Sequence, residues 1–355
     1  MIDFEKIDNN FEKYATIPSI LMKGNKDKII NPYITIAIPT YKRADLLKEA
    51  IDSALNQQKV SCQYEVMVVD NDSIVDNETA KLIDSYEDDR LFYYKNTQNL
   101  GMFGNWNRCI ELARGEWIAF LHDDDLIMPT YINTICKLLK RKRDIGGIIA
   151  SFQYSSLPPN ARNIHKTGVV KSIKKWIGID RYKKHKLIRL LAIENVLWNG
   201  SIYDAPTCGS IFRRDYMVFT GGFDDSLFPS ADWFFLYKFN LRYKVYKTMI
   251  SLGTYRLHRN ESLNPATIRQ FVIDAASFRE HCRRRYLIGR LIYRFFRHEQ
   301  HCIWVDSACS KDKSVKPCEF NSICIYKARK GMLRLYRYSE SLYYIGKRLI
   351  VLLVG

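Results

Sequence analysis

Residues 117–125 read Trp-Ile-Ala-Phe-Leu-His-Asp-Asp-Asp. The run from Trp117 to Leu121 is short and apolar without alternation, the pattern of a strand buried on both faces. It ends in three consecutive carboxylates, which such a strand tolerates only at its terminus. Upstream, Met102, Phe103, Trp106, Ile110 and Ala113 mark a helix that Gly115 terminates, and Leu91 to Tyr94 mark a strand before it. An amphipathic stretch near 77–86 comes earlier still. Glu65 to Val69 and Ile34 to Ile38, the latter closed by Pro39, read as two more buried strands. Between them Leu46, Leu47, Ala50, Ile51, Ala54 and Leu55 form one apolar helical stripe. Strands and helices alternating at this length predict an α/β fold, a doubly wound, mainly parallel sheet flanked by helices. Ligands of such a sheet lie at the carboxyl ends of its strands.

Downstream, the pattern loosens between about 144 and 205, where Pro158-Pro159 and the basic cluster Lys171 to Lys186 suggest loops and an exposed helix. Order returns at Cys208-Gly-Ser-Ile-Phe212, at Gly221-Gly-Phe-Asp224 and in an apolar helix after Asp232. From residue 269 onward, Lys and Arg number 18 against 7 acids, so this last quarter carries 11 of the 17 net positive charges. The segment reads as a basic helical extension.

With 47% hydrophobic and 26% charged residues in 355, the composition excludes a mainly disordered chain. A net charge of +17 favours partners that carry negative charge: nucleic acid, an anionic membrane surface or phosphorylated substrates. The polar start, Met1 to Asn10, does not resemble a secretory signal. The apolar tail Leu349 to Val354 is far shorter than the ~20 residues that span a bilayer. A cytoplasmic location is therefore expected. Nine cysteines in that setting predict thiols rather than a disulfide framework. Cys282, Cys302, Cys309, Cys318 and Cys324 gather near His281 and His301, yet without a Cys-x-x-Cys pair they do not read as a metal site.

Three acidic positions fall where the fold places chemistry. Asp70 follows one strand and Asp123, Asp124 and Asp125 follow another, so both project into one crevice. Adjacent carboxylates repel one another unless a cation sits among them, and oxygen ligands suit a hard divalent ion, Mg²⁺ or Mn²⁺. Asp232 opens a helix after a Gly-rich turn, where Asp also serves as an N-cap.

At these residues the chain resembles glycosyltransferase family 2, with the GT-A fold. The resemblance rests on Pro39-Thr-Tyr-Lys-Arg43, Asp70-Asn-Asp-Ser73, Asn99-Leu-Gly101, Arg114 to Asp125, Asp232-Trp233 and Tyr255-Arg-Leu-His258, in the family's order over roughly residues 32–262. It implies an N-terminal extension (1–31), a GT-A catalytic domain (32–268) and a basic helical C-terminal region (269–355). The catalytic domain would comprise a nucleotide-binding half, 32–125, and an acceptor half, 126–268. The resemblance also implies that Pro39, Thr40, Tyr41, Arg43, Asp70, Asn99, Gly101, Asp123 and Asp124 hold the donor, with Asp70 accepting the uracil N3 hydrogen. The Asp-x-Asp motif falls on the acidic triplet, with Asp125 nearest the metal. Two pairs fit, Asp123 with Asp125 or Asp124 with Asp125. His122 stands where many members begin the motif with Asp and reads as a packed neighbour. Asp232 matches the general base, with Ala231 replacing the acid usual before it. Arg256, His258 and Trp233 fall within reach of the diphosphate or the acceptor.

The activity so implied is an inverting, metal-dependent transfer of a hexose, Gal or Glc in type, from a UDP-sugar to a sugar hydroxyl. The acceptor would be linked to polyprenyl diphosphate, as in bacterial enzymes that build O-antigen or capsule repeat units. Two rivals fit less well. A nucleic-acid-binding protein would suit the charge, but no reader motif interleaves with the basic residues. A nicotinamide oxidoreductase would show Gly-x-Gly-x-x-Gly where Pro39 to Arg43 stand.

The C-terminal region carries Phe278, Cys282, Tyr286, Ile288 and Leu291 to Phe296 among Arg279, Arg283 to Arg285, Arg290, Arg294 and Arg297, the composition of an interfacial helix. Peripheral binding to the inner face of a bacterial cytoplasmic membrane is expected. Each basic residue adds ~1 kcal/mol near an anionic leaflet, so the protein should co-sediment with anionic vesicles and not with neutral ones. Equal pelleting with both, or none with either, would contradict this.

Overall fold

The computed structural model describes residues 3–142, 144–155, 187–192, 207–256, 260–285, 305–306 and 308–320. The chain divides into two compact units, one of Glu5–Leu190 with Ala205–His258, the other of Met1–Phe4, Leu191–Asp204 and Arg259–Gly355.

The first unit is built on one sheet. In chain order its strands are β1 (Ser19–Lys23), β2 (Ile34–Thr40), β3 (Tyr64–Asp70), β4 (Leu91–Asn96), β5 (Trp117–Phe120), β6 (Leu126–Ile127), β7 (Ile145–Tyr154), β8 (Leu187–Arg189), β9 (Ile211–Arg213) and β10 (Lys244–Tyr255). Their order across the sheet is β1-β4-β3-β2-β5-β9-β7-β10-β6, with β8 also on β10. β4, β3, β2 and β5 run parallel, as do β7 and β10, whereas β1, β6, β8 and β9 pair antiparallel to their neighbours. Every residue of β2, β3, β4 and β5 is buried, which is why these strands read as unbroken apolar runs. β1 escapes such a reading. It is a five-residue edge strand with alternating exposure, lying within the stretch that resemblance marks as an extension.

Helices cover the sheet: α1 (Ala44–Leu55), α2 (Glu78–Asp84), α3 (Gly101–Leu112), α4 (Tyr131–Leu139), α5 (Arg214–Phe219) and α6 (Ala231–Arg242). Leu47, Ala50, Ile51, Ala54 and Leu55 of α1 are buried on one stripe, packed with Ile34, Ile36 and Ile38 of β2 and Val66 and Val68 of β3. Connections of this kind place parallel strands side by side with their carboxyl ends together.

The opposite end of these strands is closed by a buried carboxylate. Glu65 of β3 accepts hydrogen bonds from Thr35 Oγ1 (2.6 Å), from the Arg114 backbone N–H (3.0 Å) and from Arg114 Nε (2.8 Å). Arg114 therefore ties the loop before β5 to both central strands. Its own Nη1 donates to the carbonyl of Ile29 at 3.0 Å.

In the second unit α7 (Pro265–Arg285) supplies Ile268 and Val272 to a small core with Val305, Ala308, Val315 and Phe320. Arg269 pairs with Glu319 at 2.6 Å. Of the stretch expected to lie on a membrane, Phe278, Arg279 and Cys282 are buried, and residues 286–297 lie outside the described residues. Among the described residues no helix is long and apolar enough to cross a membrane.

Replacing Arg114 by Met leaves the Glu65 carboxylate buried beside an apolar chain, a loss of about 3 kcal/mol or more. Denaturant unfolding should show that loss, while divalent-ion affinity at the far end of the strands stays unchanged.

Candidate functional site

Parallel pairing sets Thr40 of β2 opposite Asp70 of β3, and Ala37 opposite Phe120 of β5. Three strand ends therefore open into one crevice. Its loops are stitched by the backbone: Leu121 N–H donates to the carbonyl of Ala37 (2.9 Å) and Asn71 N–H to that of Thr40 (2.9 Å).

The acidic triplet splits its loyalties. Asp123 faces the β2 loop, accepting from Thr40 Oγ1 at 2.8 Å and from Arg43 Nη1 at 3.3 Å. Arg43 also reaches Asp124 at 3.0 Å. Asp124 and Asp125 instead approach His122, so that one ligand atom from each of these three lies within 4.8 Å of the other two. His122 Nε2 is buried and has no hydrogen-bond partner among the described residues. Its ring packs on Trp106 with centroids 4.8 Å apart. Burial pushes Asp123 up to about 6 and Asp125 up to about 7, and the neighbouring Asp124 charge adds to both. Burial also lowers the His122 pKa, which favours neutral imidazole, the form that binds metals.

A buried imidazole with one unpartnered nitrogen, grouped with two carboxylates, fits a divalent cation. One nitrogen with oxygens suits Mn²⁺ better than Mg²⁺, whose sites are built of oxygen. Geometry thus favours Asp124 with Asp125, joined by His122, over Asp123 with Asp125. The sign of this was the motif position, where His122 replaces an Asp. Cys208, whose thiol pKa is raised by burial and by the neighbouring Asp125 charge, carried no such sign.

Arg256 is a clamp on the triplet rather than an arm over the crevice. Its backbone N–H donates to Asp125 Oδ1 (3.0 Å), and its guanidinium binds the carbonyls of Asp124, Asp123 (3.2 Å) and Leu46 (3.1 Å) and the Glu49 carboxylate (2.8 Å). His258 lies outside the described residues.

Asp70 has 0% exposure. Oδ2 accepts from Asn77 Nδ2 (2.8 Å), Tyr93 OH (2.9 Å) and Lys95 Nζ (3.1 Å), and Oδ1 from the Asp72 N–H (2.9 Å). In this arrangement it shapes the turn 70–73 from beneath and presents no surface to a base. Next to it Asn71 donates to Asn99 Oδ1 (2.7 Å) and to the Gly101 carbonyl (3.1 Å), and accepts from Asn96 Nδ2 (3.0 Å) and the Leu100 N–H (2.9 Å). Asn99 and Gly101 thus join the crevice wall through Asn71, a residue that strand patterning alone does not single out. Pro39 is buried in β2. Tyr41 is 43% exposed at the mouth, with Lys42 Nζ 5.2 Å from its ring centroid.

Asp232 sits in the first turn of α6, whose N-cap position belongs to Ser230. It is therefore not the cap. Its Oδ1 accepts from the Trp233 N–H at 2.8 Å. Burial raises its pKa to about 7. Trp233 is half-buried beside it. The neighbouring acids have other duties. Asp224 Oδ1 accepts from Ser226 N–H and Oγ at 3.0 and 2.7 Å. Asp225 accepts from Lys13 Nζ and Tyr14 OH, each at 2.5 Å. Burial opposes the Asp225 charge, but these donors outweigh it and hold its pKa below the ordinary range.

The profile described as "Glycosyl transferase family 2" matches residues 35–219, more than half of the chain. A protein of Rickettsia typhi described as an uncharacterized glycosyltransferase is 29% identical over 243 residues, 68% of this chain and 69% of that one. Another, from Methanocaldococcus jannaschii, is 32% identical over 127 residues, 35% of this chain, and the match spans only 42% of that protein. Among solved structures, a mannosyltransferase from Pyrobaculum calidifontis in complex with GDP-Man and Mn²⁺ aligns with a TM-score of 0.50 at 15% identity, covering 92% of this chain and 90% of that one. At that identity the likeness is one of fold.

His122→Ala and Asp125→Ala should each weaken Mn²⁺ binding about 10- to 100-fold or more by calorimetry, whereas Asp123→Ala should change it far less. Equal losses at Asp123 and His122 would contradict this grouping.

Proposed function

The chain belongs to glycosyl transferase family 2, and from that premise we propose that it moves a hexose, with inversion, from a UDP-sugar to a sugar hydroxyl of a polyprenyl-diphosphate-linked acceptor. The observation that carries this reading is the convergence of the β2 and β5 loops on one crevice, where His122, Asp124 and Asp125 are grouped beside Arg43. The P. calidifontis neighbour, with a nucleotide-sugar and Mn²⁺, supports a nucleotide-linked donor and a divalent ion.

His122, Asp124 and Asp125 would hold the ion, Mn²⁺ in preference to Mg²⁺. When bound, it supplies positive charge to the departing diphosphate. Thr40 holds Asp123 toward β2, Arg43 is shared between Asp123 and Asp124, and Arg256 fixes the loop carrying all three carboxylates. Tyr41 offers an exposed ring at the mouth for the base, and the turn 70–73, held by Asp70, shapes the wall beside it. The Asp232 carboxylate takes the proton from the acceptor hydroxyl as that oxygen attacks the anomeric carbon. The bond from that carbon to the diphosphate oxygen breaks in the same step, and the nucleoside diphosphate leaves with its electron pair. Trp233, adjacent to the base, is positioned for the face of the acceptor sugar.

Release of UDP should be measured across a panel of UDP-sugars, with and without Mn²⁺ and a lipid-diphosphate acceptor. One UDP-hexose should turn over only with the acceptor and the ion, and EDTA should abolish it. Turnover indifferent to EDTA would overturn the metal role.

Asp232 must be ionised to act. With its pKa raised to about 7, kcat should fall tenfold per unit as pH drops below that value and level off above it. Asp232→Asn should lower kcat by about 10² to 10⁴-fold, remove this limb and leave donor KM unchanged. The raised pKa means that the ionised group costs stability at high pH, so the Asn variant should melt no lower than the parent at pH 8. Retention of a tenth or more of turnover, well short of the loss expected of a general base, would remove Asp232 from that role.

A further inference from the structure

The N-terminal residues 8–14 touch the segment that leads into α6 at several independent points, all within the first unit. Asn10 donates to the Gly221 carbonyl twice, through its backbone N–H and through Nδ2, both at 3.0 Å. Lys13 and Tyr14 both reach the Asp225 carboxylate at 2.5 Å. A Cβ on Gly221 would stand 2.1 Å from the Asp8 carbonyl oxygen, and one on Gly222 2.9 Å from the Phe11 ring. Both glycines also have positive φ, 85° and 72°, so a side chain is excluded by conformation as well as by space. Tyr14 itself lies against α3, where a Cβ on Gly104 would meet its ring at 2.7 Å. Arg108 of α3 anchors the same segment by donating to the carbonyls of Tyr14 (2.9 Å) and Ile17 (2.8 Å).

From the other side, Asn107 of α3 grips Phe223 by both backbone groups, donating to its carbonyl at 2.8 Å and accepting from its N–H at 2.7 Å. Between Asp225 and α6 the backbone is continuously turned: Leu227 N–H donates to Asp224 O, Phe228 N–H to Asp225 O and Ser230 N–H to Leu227 O. Two residues later stands Asp232. A displacement at Asp225 therefore has no slack in which to be absorbed before it reaches the first turn of α6. The matched family profile covers residues 35–219, so both partners of this contact, 8–14 and 221–225, lie outside it.

We propose that residues 8–14 are a brace for the acceptor side of the active site, with Lys13 and Tyr14 acting through Asp225 to position the Asp232 carboxylate. The N-terminal segment then belongs to the catalytic machinery as a positioning element, and Asp225 is a positioning residue. Misplacing a reacting group by about 1 Å can cost ~10²-fold in rate with binding intact. The proposal rests on Asp232 being the base.

The test is a double-mutant cycle on the full chain with Asp225→Asn and Asp232→Asn, reading kcat, donor KM, the kcat–pH profile and thermal melting. Asp225→Asn should lower kcat by roughly 10-fold or more, leave donor KM unchanged and shift the acidic limb of the profile. Added to Asp232→Asn it should cost nothing further, because the group it positions is gone. Losses that multiply in the double variant, or an Asp225→Asn enzyme with parental kcat, would overturn the brace. Should Asp225→Asn fail to fold, Tyr14→Phe carries the same test, with a smaller loss expected in kcat alone and parental kcat as the contradicting result. If Asp232→Asn by itself keeps its turnover, the base reading fails, visibly and without reference to Asp225, and the brace as stated falls with it.

Discussion

Three consecutive carboxylates, each with less than a tenth of its surface exposed, must be accommodated at the end of β5. Buried like charges are tolerated only when paired, protonated or bound to a cation. The guanidinium of Arg43 offsets one of the three through Asp123 and Asp124. That of Arg256 is paired with Glu49 and otherwise binds loop carbonyls. What remains, once the protons held by burial on Asp123 and Asp125 are lost, is up to two negative charges beside a neutral imidazole, which is the complement of one divalent cation. Much of the molecule serves to hold this charge arrangement: parallel pairing aligns the strand ends, α1 supplies Leu46 and Glu49 to Arg256, and β10 delivers Arg256 itself.

An aromatic layer ties this centre to the segment that leads into α6. His122 packs on Trp106, which meets Phe120 at 5.6 Å and Phe223 at 5.3 Å, and Phe103 links Trp106 to Phe228. Phe223 follows the Gly221-Gly222 turn, and Phe228 precedes the α6 helix carrying Asp232. The loop 122–125 and the segment carrying Asp232 are thus packed on one aromatic floor, dense enough to transmit small displacements. Asn107 and Asn10 hold the same segment by its backbone.

How far the sequence could be read follows from which contacts are local. The buried strands from Ile34 to Leu121 are legible because burial on both faces forces a continuous apolar run, and the α1 stripe because one face alone is buried. β1 is not legible, since Ser19-Ile-Leu-Met-Lys23 is short and lies on the sheet edge with Ile20 and Met22 exposed, so neither polar alternation nor a long apolar run marks it. Burial marked the acidic triplet as a centre, but how its members divide depends on Thr40, 83 positions away, which binds Asp123 alone, while Arg43 is shared by Asp123 and Asp124. His122 reads as packing when only its neighbours in the chain are considered. Its grouping with Asp124 and Asp125 emerges from the turn in which Asp125 N–H donates to His122 O at 3.0 Å. Nothing near Asp225 in the chain marks it as occupied, since its partners Lys13 and Tyr14 stand more than 200 residues earlier.

The ligand set we propose is one imidazole nitrogen and two carboxylates, those of His122, Asp124 and Asp125. Pulsed electron paramagnetic resonance of the Mn²⁺-loaded protein reads that ligand set without relying on turnover. A directly coordinated ¹⁴N coupling that disappears in His122→Ala is the result predicted. An all-oxygen coordination sphere in the parent protein, identical in His122→Ala, would contradict it.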